Sequence, residues 1–436
     1  MTRPQTSPLG PSTDAPSPGL PGLAGADFRA LDAALEICSL RVRCGPGAYT
    51  WLAEPLEDGR PPRPLGPHLY DGTAGISLFL AAAYCQLHAT PADAASLVLI
   101  RETAVGGLAP LRAKLAKLAQ VEASKRPRLG AGGLQGAGCF VYAFTRTGTL
   151  LEDPSLHRDA LAVARAFLTP TQIAEDVHLD VLSGAAGALL GLLALHDALS
   201  SDPASAGAAA DMLDVARCAG RHLMARQQVD GGWPLAELPA LTGFAHGASG
   251  IGHALLSLAG RVDGSERDRL RDSALRGFAF ERSLFVPRAR TWMDPRRRRP
   301  LEQSAWCHGA PGVLLSRLAA VRSLDDPWLH RDLEQALELT CELDEKEQDH
   351  LCCGNAGLVE MLLLAGHGLD DGRCRALAAA RIGSVEQRDL RFPTDEPDST
   401  HLSLFLGRAG WGWVLLQAAA GGSLPSVLLM EQALEL

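Results

Sequence analysis

Seven times along its 436 residues the chain sets a glycine-rich turn directly ahead of an apolar run, and that repeat restricts the fold more than any other feature. The first copies are Asp71-Gly72-Thr73-Ala74-Gly75, Gly136-Ala137-Gly138 and Ser183-Gly184-Ala185-Ala186-Gly187. Ala245-His246-Gly247-Ala248-Ser249-Gly250, Trp306-Cys307-His308-Gly309-Ala310-Pro311-Gly312, Cys352-Cys353-Gly354-Asn355-Ala356-Gly357 and Leu406-Gly407-Arg408-Ala409-Gly410 follow. Copies lie about 45 to 65 residues apart, room for two helices and their connections. Each unit therefore reads as a helical hairpin.

The runs after the glycines, such as SLFLAAAY and ALLGLLAL, are rich in Ala and Leu and lack a polar face, which predicts helices buried on nearly all sides. The segments between them, such as HRDALAVARAFL and DMLDVARCAGRHLMARQ, space apolar residues at three and four with Arg and Asp opposite, the pattern of half-buried outer helices. The expected fold is all-α: seven inner and seven outer helices closed into an α/α toroid, with the glycine turns meeting at one end. With 5% aromatic residues against abundant Ala and Leu, composition favours helix over sheet.

Two of the convergent turns carry thiols. Cys307, Cys352 and Cys353 can hold one soft divalent ion and leave a coordination position open, the arrangement of a catalytic rather than a structural zinc. No CxxC pair is present, so spacing alone does not make this case; the repeat does. Cys38, Cys44, Cys85, Cys139, Cys218, Cys341 and Cys374 read as small apolar core residues.

LYDGTAGISLFL at 69–80, AHGASGIGHALL at 245–256, ERSLFV with TWMDPR at 281–296, AWCHGAPGVLLSR at 305–317, CCGNAG at 352–357 and LPSVLL at 424–429 carry a resemblance. From about Trp51 to the C-terminus the chain resembles the lanthionine synthetase cyclases (LanC-like), and more narrowly the cyclase half of the class II, LanM-type synthetases. The resemblance implies a catalytic zinc on Cys307, Cys352 and Cys353. Many relatives have Cys-His at the second thiol segment, whereas Cys352-Cys353 is similar to a three-cysteine subgroup. The implied reaction adds a cysteine thiol of a dehydrated precursor peptide to dehydroalanine or dehydrobutyrine, closing a (methyl)lanthionine thioether ring. Coordination delivers a thiolate from a thiol whose pKa is otherwise near ~8.5. The enolate formed then needs a proton. His246 matches the family's AHG histidine and is the expected acid, since an imidazole titrates near ~6.5. Asp180 matches an acidic residue ahead of the third glycine motif, either orienting His246 or substrate or capping a helix. His308 is a second acid or a packing neighbour. Relatives of the stand-alone bacterial type carry an arginine where this chain has Gln303, so no role of that arginine is carried over.

A net charge of −9 gives no overall attraction to nucleic acid or anionic membrane. The Arg296–Arg299 run reads as a solvated loop, with contact to an acidic leader peptide as the rival. Residues 1–27, rich in Pro, Ser and Gly, read as a disordered tail ahead of one toroid over 28–436, and lack the regions of a signal peptide. No membrane span is expected, and free metal-binding thiols fit the cytoplasm. The chain has no room for the dehydratase half of LanM-type synthetases, so a separate dehydratase, or one from which this chain is excised, is the expected partner. The alternative function is a non-catalytic zinc module that binds glutathione or a partner peptide.

Overall fold

A computed structural model describes residues 25–53, 62–88, 93–393, 401–421 and 424–430. Seven apolar helices form an inner ring: α2 (Thr73–Leu87), α4 (Ala137–Leu150), α7 (Ala185–Ser200), α9 (Ala248–Ala259), α11 (Ala310–Ala320), α13 (Asn355–Gly368) and α15 (Arg408–Ala420). Each touches the next, and α15 closes on α2. Around them stand α3 (Ala94–Ala119), α5 (Pro154–Phe167), α8 (Ala206–Arg226), α10 (Gly264–Ser283), α12 (Pro327–Cys341) and α14 (Gly372–Val385). The seventh outer position, beside α15, is filled by α1 (Ala26–Ser39) from the beginning of the chain. The α/α toroid expected from the repeat is the observed fold. Of the expected tail, residues 1–24 lie outside the described residues, and α1 already begins at Ala26.

The two layers start their helices differently. Asp93, Asp153, Asp326 and Asp371 cap outer helices by accepting backbone N–H bonds, a device that contributes about 1 kcal/mol each. All seven inner helices instead begin after a glycine, which has no side chain with which to cap them. The reason is crowding. A Cβ at Gly247, ahead of α9, would lie 2.2 Å from the Thr242 carbonyl carbon, and one at Gly184, ahead of α7, would lie 2.3 Å from Leu179 N. The turn folds back so tightly on the first helical residues that only glycine fits.

Helix α3, at 26 residues, is long and apolar enough by composition to cross a membrane, contrary to expectation. Its place in the ring accounts for this: Gly106 and Gly107 receive the rings of Tyr49 and Trp51, and Ile100, Ala104 and Leu108 face the core.

Backbone hydrogen bonds stitch the inner turns together. Tyr70 N donates to Leu134 O, Gly133 N to Val181 O, Val181 N to Ala245 O, Phe244 N to Trp306 O, Cys352 N to Phe405 O and Phe405 N to Tyr70 O. Six of seven seams are thus sewn. Among the described residues no backbone bond joins the fifth turn to the sixth, and there the thiols of Cys307 and Cys353 meet instead. The LPSVLL segment crosses the ring interior: Leu424 O accepts from Gln417 of α15, Leu429 O faces His253 of α9, and Met430 packs on Gly133.

Candidate metal centre

Cys307 precedes α11 in a tight turn closed by Ala305 and His308 and ended by Gly309 at φ 88°. Cys352 and Cys353 precede α13, with Cys353 N–H donating to His350 Nδ1 at 3.3 Å. The Sγ atoms of Cys307 and Cys353 are 3.2 Å apart, those of Cys352 and Cys353 3.3 Å, and all three lie within 4.8 Å of one another. Tetrahedral zinc with Zn–S bonds near 2.3 Å needs sulfurs about 3.8 Å apart, so the two short edges would open by about half an ångström to take the ion. Hydrogen bonds from Cys352 and Cys353 hold the Cys307 thiol well below its ordinary value. The same shared protons push Cys352 well up and Cys353 to about 12. Of the three thiols Cys307 therefore gives up its proton most readily, and a soft dication would complete the deprotonation. The residues fit zinc.

His246 stands at the end of the loop before α9, its Nδ1 2.7 Å from Asp180 Oδ2. Asp180 is 4% exposed, and its other oxygen accepts the Ser183 N–H at 2.7 Å. Asp180 thus meets the imidazole and ties its own turn rather than capping a helix, since the α7 N-terminus is served by Asp176 through Ala185 N. His308 stacks on His246 with ring centroids 5.7 Å apart, its Nδ1 3.4 Å from Thr242 O. Burial, then the charges of Arg296 and His246, push its pKa down to about 4. It is neutral at neutral pH.

A buried ion pair aligns the histidine loop with the thiol loop. Glu281 of α10 accepts from Gly243 N at 2.7 Å and from Ser249 Oγ at 2.6 Å, and pairs with Arg317 of α11 at 2.9 Å. Gly243 packs on the Cys307 carbonyl, where a Cβ would come within 2.4 Å. Breaking such a pair from one side costs about 3–5 kcal/mol.

Sequence reasoning missed three groups here. Tyr70 stacks on Phe405, and burial and the Cys352 thiol push its phenol well up, so it remains a protonated neighbour of the sulfur. His350 has both ring nitrogens engaged, by Cys353 N–H and by Gln348 Oε1 at 3.0 Å. The third is Arg296. A small antiparallel sheet, β1 (Phe285–Val286), β2 (Thr291–Asp294) and β3 (Arg299–Pro300), places Asp294, 5% exposed, to grip the Arg296 guanidinium at 2.9 and 3.1 Å. Its charge lowers both His308 and Cys307. Arg297 and Arg299 pair with Glu302 at the surface, as the solvated-loop reading has it, whereas Arg296 serves the site. The signal was the Asp-Pro-Arg spacing at 294–296, which lets a carboxylate hold an arginine two residues on.

A family model described as lanthionine synthetase C-like protein matches residues 63–429. The chain belongs to that family. Helix α1 lies outside the match and still completes the LanC-like ring. Among solved structures the chain is similar to nisin cyclase, at 18% identity over 80% of this chain and 87% of that one with a TM-score of 0.55, a likeness of fold. It is also similar to a family 76 glycoside hydrolase from a bovine Bacteroides thetaiotaomicron strain, at 13% identity, covering 92% of this chain and 78% of that one, TM-score 0.43. An unsaturated glucuronyl hydrolase from Streptococcus agalactiae has 11% identity, 92% of each chain and TM-score 0.42. Both hydrolases superpose too loosely to bear on function. No curated protein matches the chain.

Proposed function

We propose that this chain closes thioether rings in a dehydrated precursor peptide by adding cysteine thiols to dehydroalanine or dehydrobutyrine. The observation that carries the reading is the convergence of three thiols with the His246–Asp180 pair at the glycine-turn end of the ring. Zinc held by Cys307, Cys352 and Cys353 would supply the Lewis acidity that keeps a substrate thiol ionised near neutral pH. His246 moves the proton: with Nδ1 fixed on Asp180, its Nε2 is left to take the thiol proton and return it to the α-carbon of the enolate. Asp180 holds the ring in that orientation and supports the imidazolium. Arg296 offsets the negative charge that develops on the enolate oxygen. Neutral His308 forms the wall against which His246 is stacked. Tyr70, kept protonated, steadies the Cys352 sulfur from behind. The chemistry requires a separate activity that dehydrates Ser and Thr, and a reducing compartment such as the cytoplasm.

The test is incubation of the zinc-loaded protein with a peptide bearing one cysteine and one dehydroalanine. Loss of thiol alkylation without a mass change, with fragmentation blocked inside the ring, is the expected result. Tight peptide or glutathione binding without ring closure on any dehydrated peptide would leave the binding-module function in its place.

A further inference from the structure

Of the seven cysteines expected in the core, Cys44 and Cys85 are exposed, and two others meet. Cys341 is the last residue of α12 and half-buried; Cys374 lies in the first turn of α14 and is fully buried. Their Sγ atoms are 3.9 Å apart. Neither takes part in the metal centre. We propose that Cys341 and Cys374 are a redox-active dithiol that reacts with low-molecular-weight disulfides such as glutathione disulfide and closes to an intramolecular disulfide.

The surroundings favour this. The Cys374 thiol hydrogen-bonds the Cys341 sulfur, and the charges of Arg373 and Arg381 lie close, which brings Cys341 down to about 7. The more accessible sulfur is thus the nucleophile and the buried one the resolving thiol. In the first step the Cys341 thiolate attacks one sulfur of glutathione disulfide, whose S–S bond breaks to release one glutathione thiolate. In the second, Cys374 gives up its proton and displaces the other glutathione, which leaves as thiolate and is protonated. Two protein thiols are oxidised and one glutathione disulfide is reduced to two thiols.

The bond would act on the segment that carries two of the zinc cysteines. Residues 342–354 run from Cys341 to α13 and are already tethered to α14 by Ser384 on Glu345 at 2.7 Å, and to the segment after α14 by Arg388 on Asp349 at 2.6 Å and Arg391 N on Asp349 at 2.7 Å. A Cys341–Cys374 disulfide adds a covalent tether at the start of that segment and encloses Cys352 and Cys353 in the loop. The inference does not depend on the cyclase reading.

The zinc-loaded full chain is treated with glutathione disulfide at pH 7, quenched by alkylation and peptide-mapped. A linked peptide pair joining Cys341 to Cys374 is expected, formed about threefold faster than an ordinary exposed thiol is glutathionylated, the higher thiolate fraction outweighing lower nucleophilicity. Cys374→Ser should stop at one glutathione on Cys341, and Cys341→Ser should leave Cys374 reduced. The proposal is overturned if wild-type Cys341 stays reduced while Cys44 and Cys85 are modified, or if Cys341 and Cys374 end as separate adducts.

Discussion

Removing zinc should open one seam of the ring and leave the other six closed. Six junctions between inner turns are held by backbone hydrogen bonds of 3.0–3.4 Å, whereas the fifth and sixth turns meet through Cys307 and Cys353. Without the metal that junction keeps the sulfur contact and the packing of α11 on α13, with no backbone hydrogen bond among the described residues. For free zinc at about a hundred to a thousand times its Kd, linkage gives about 3 to 4 kcal/mol of stabilisation. With an unfolding entropy of about 2.1 cal/mol/K per residue, 436 residues give about 0.9 kcal/mol/K, so chelation should lower Tm by about 4 °C. Amide hydrogen exchange then locates the effect. Protection should fall at residues 305–309 and 350–354 and persist at Val181 and Leu182, which donate to Ala245 in a backbone-sewn seam. Equal loss at all seven seams, or no shift in Tm on complete zinc removal, would refute the reasoning.

Other outcomes follow from single side chains. His246→Ala should keep the zinc and slow ring closure about a hundred- to ten-thousand-fold, with a smaller loss for Asp180→Asn, read by metal analysis and single-turnover kinetics. Burial raises the Glu360 carboxyl to about 8, while in the unfolded chain it ionises near ~4.3. The folded state therefore binds the extra proton, and this residue makes stability fall by about 1.4 kcal/mol per unit as pH rises from about 5 to 8. Glu360→Gln should remove that slope from urea-unfolding data, and an unchanged slope would show that Glu360 does not titrate there. Arg296→Gln should raise the His308 pKa from about 4, since a cation that disfavours its protonation is gone; an unmoved NMR titration would place the guanidinium's field elsewhere.

The repeat made the ring legible, because a glycine turn before an apolar run has one physical use here: the turn packs too closely for a Cβ. It did not reveal that α1 closes the ring, since that helix precedes the first glycine motif and its partner α15 follows the last. The three thiols were legible as a set because two of the seven turns carry them. The pairing of Asp180 with His246, 66 residues apart, was open to sequence only as one of two readings, since an aspartate ahead of a turn serves a cap equally well. Tyr70 was not legible because Gly72 and Gly75 account for its motif as a turn, and only packing against Phe405 brings the phenol to Cys352. Arg296 was hidden by strands of two to four residues, too short to show a period, which fold its guanidinium back onto Asp294 so that one arginine of four, still exposed, bears on the site.

The central claim is that Cys307, Cys352 and Cys353 prepare a thiolate and His246 delivers the proton, and ring closure in D₂O tests it most directly. A dehydrated peptide with one cysteine should gain one non-exchangeable deuteron per ring, on the α-carbon and in a single configuration, because the proton comes from a fixed imidazole. His246→Ala should retain zinc while losing rate and stereochemical purity together. Both configurations in equal amounts from the wild-type protein, or a His246→Ala variant with wild-type rate and purity, would contradict the account.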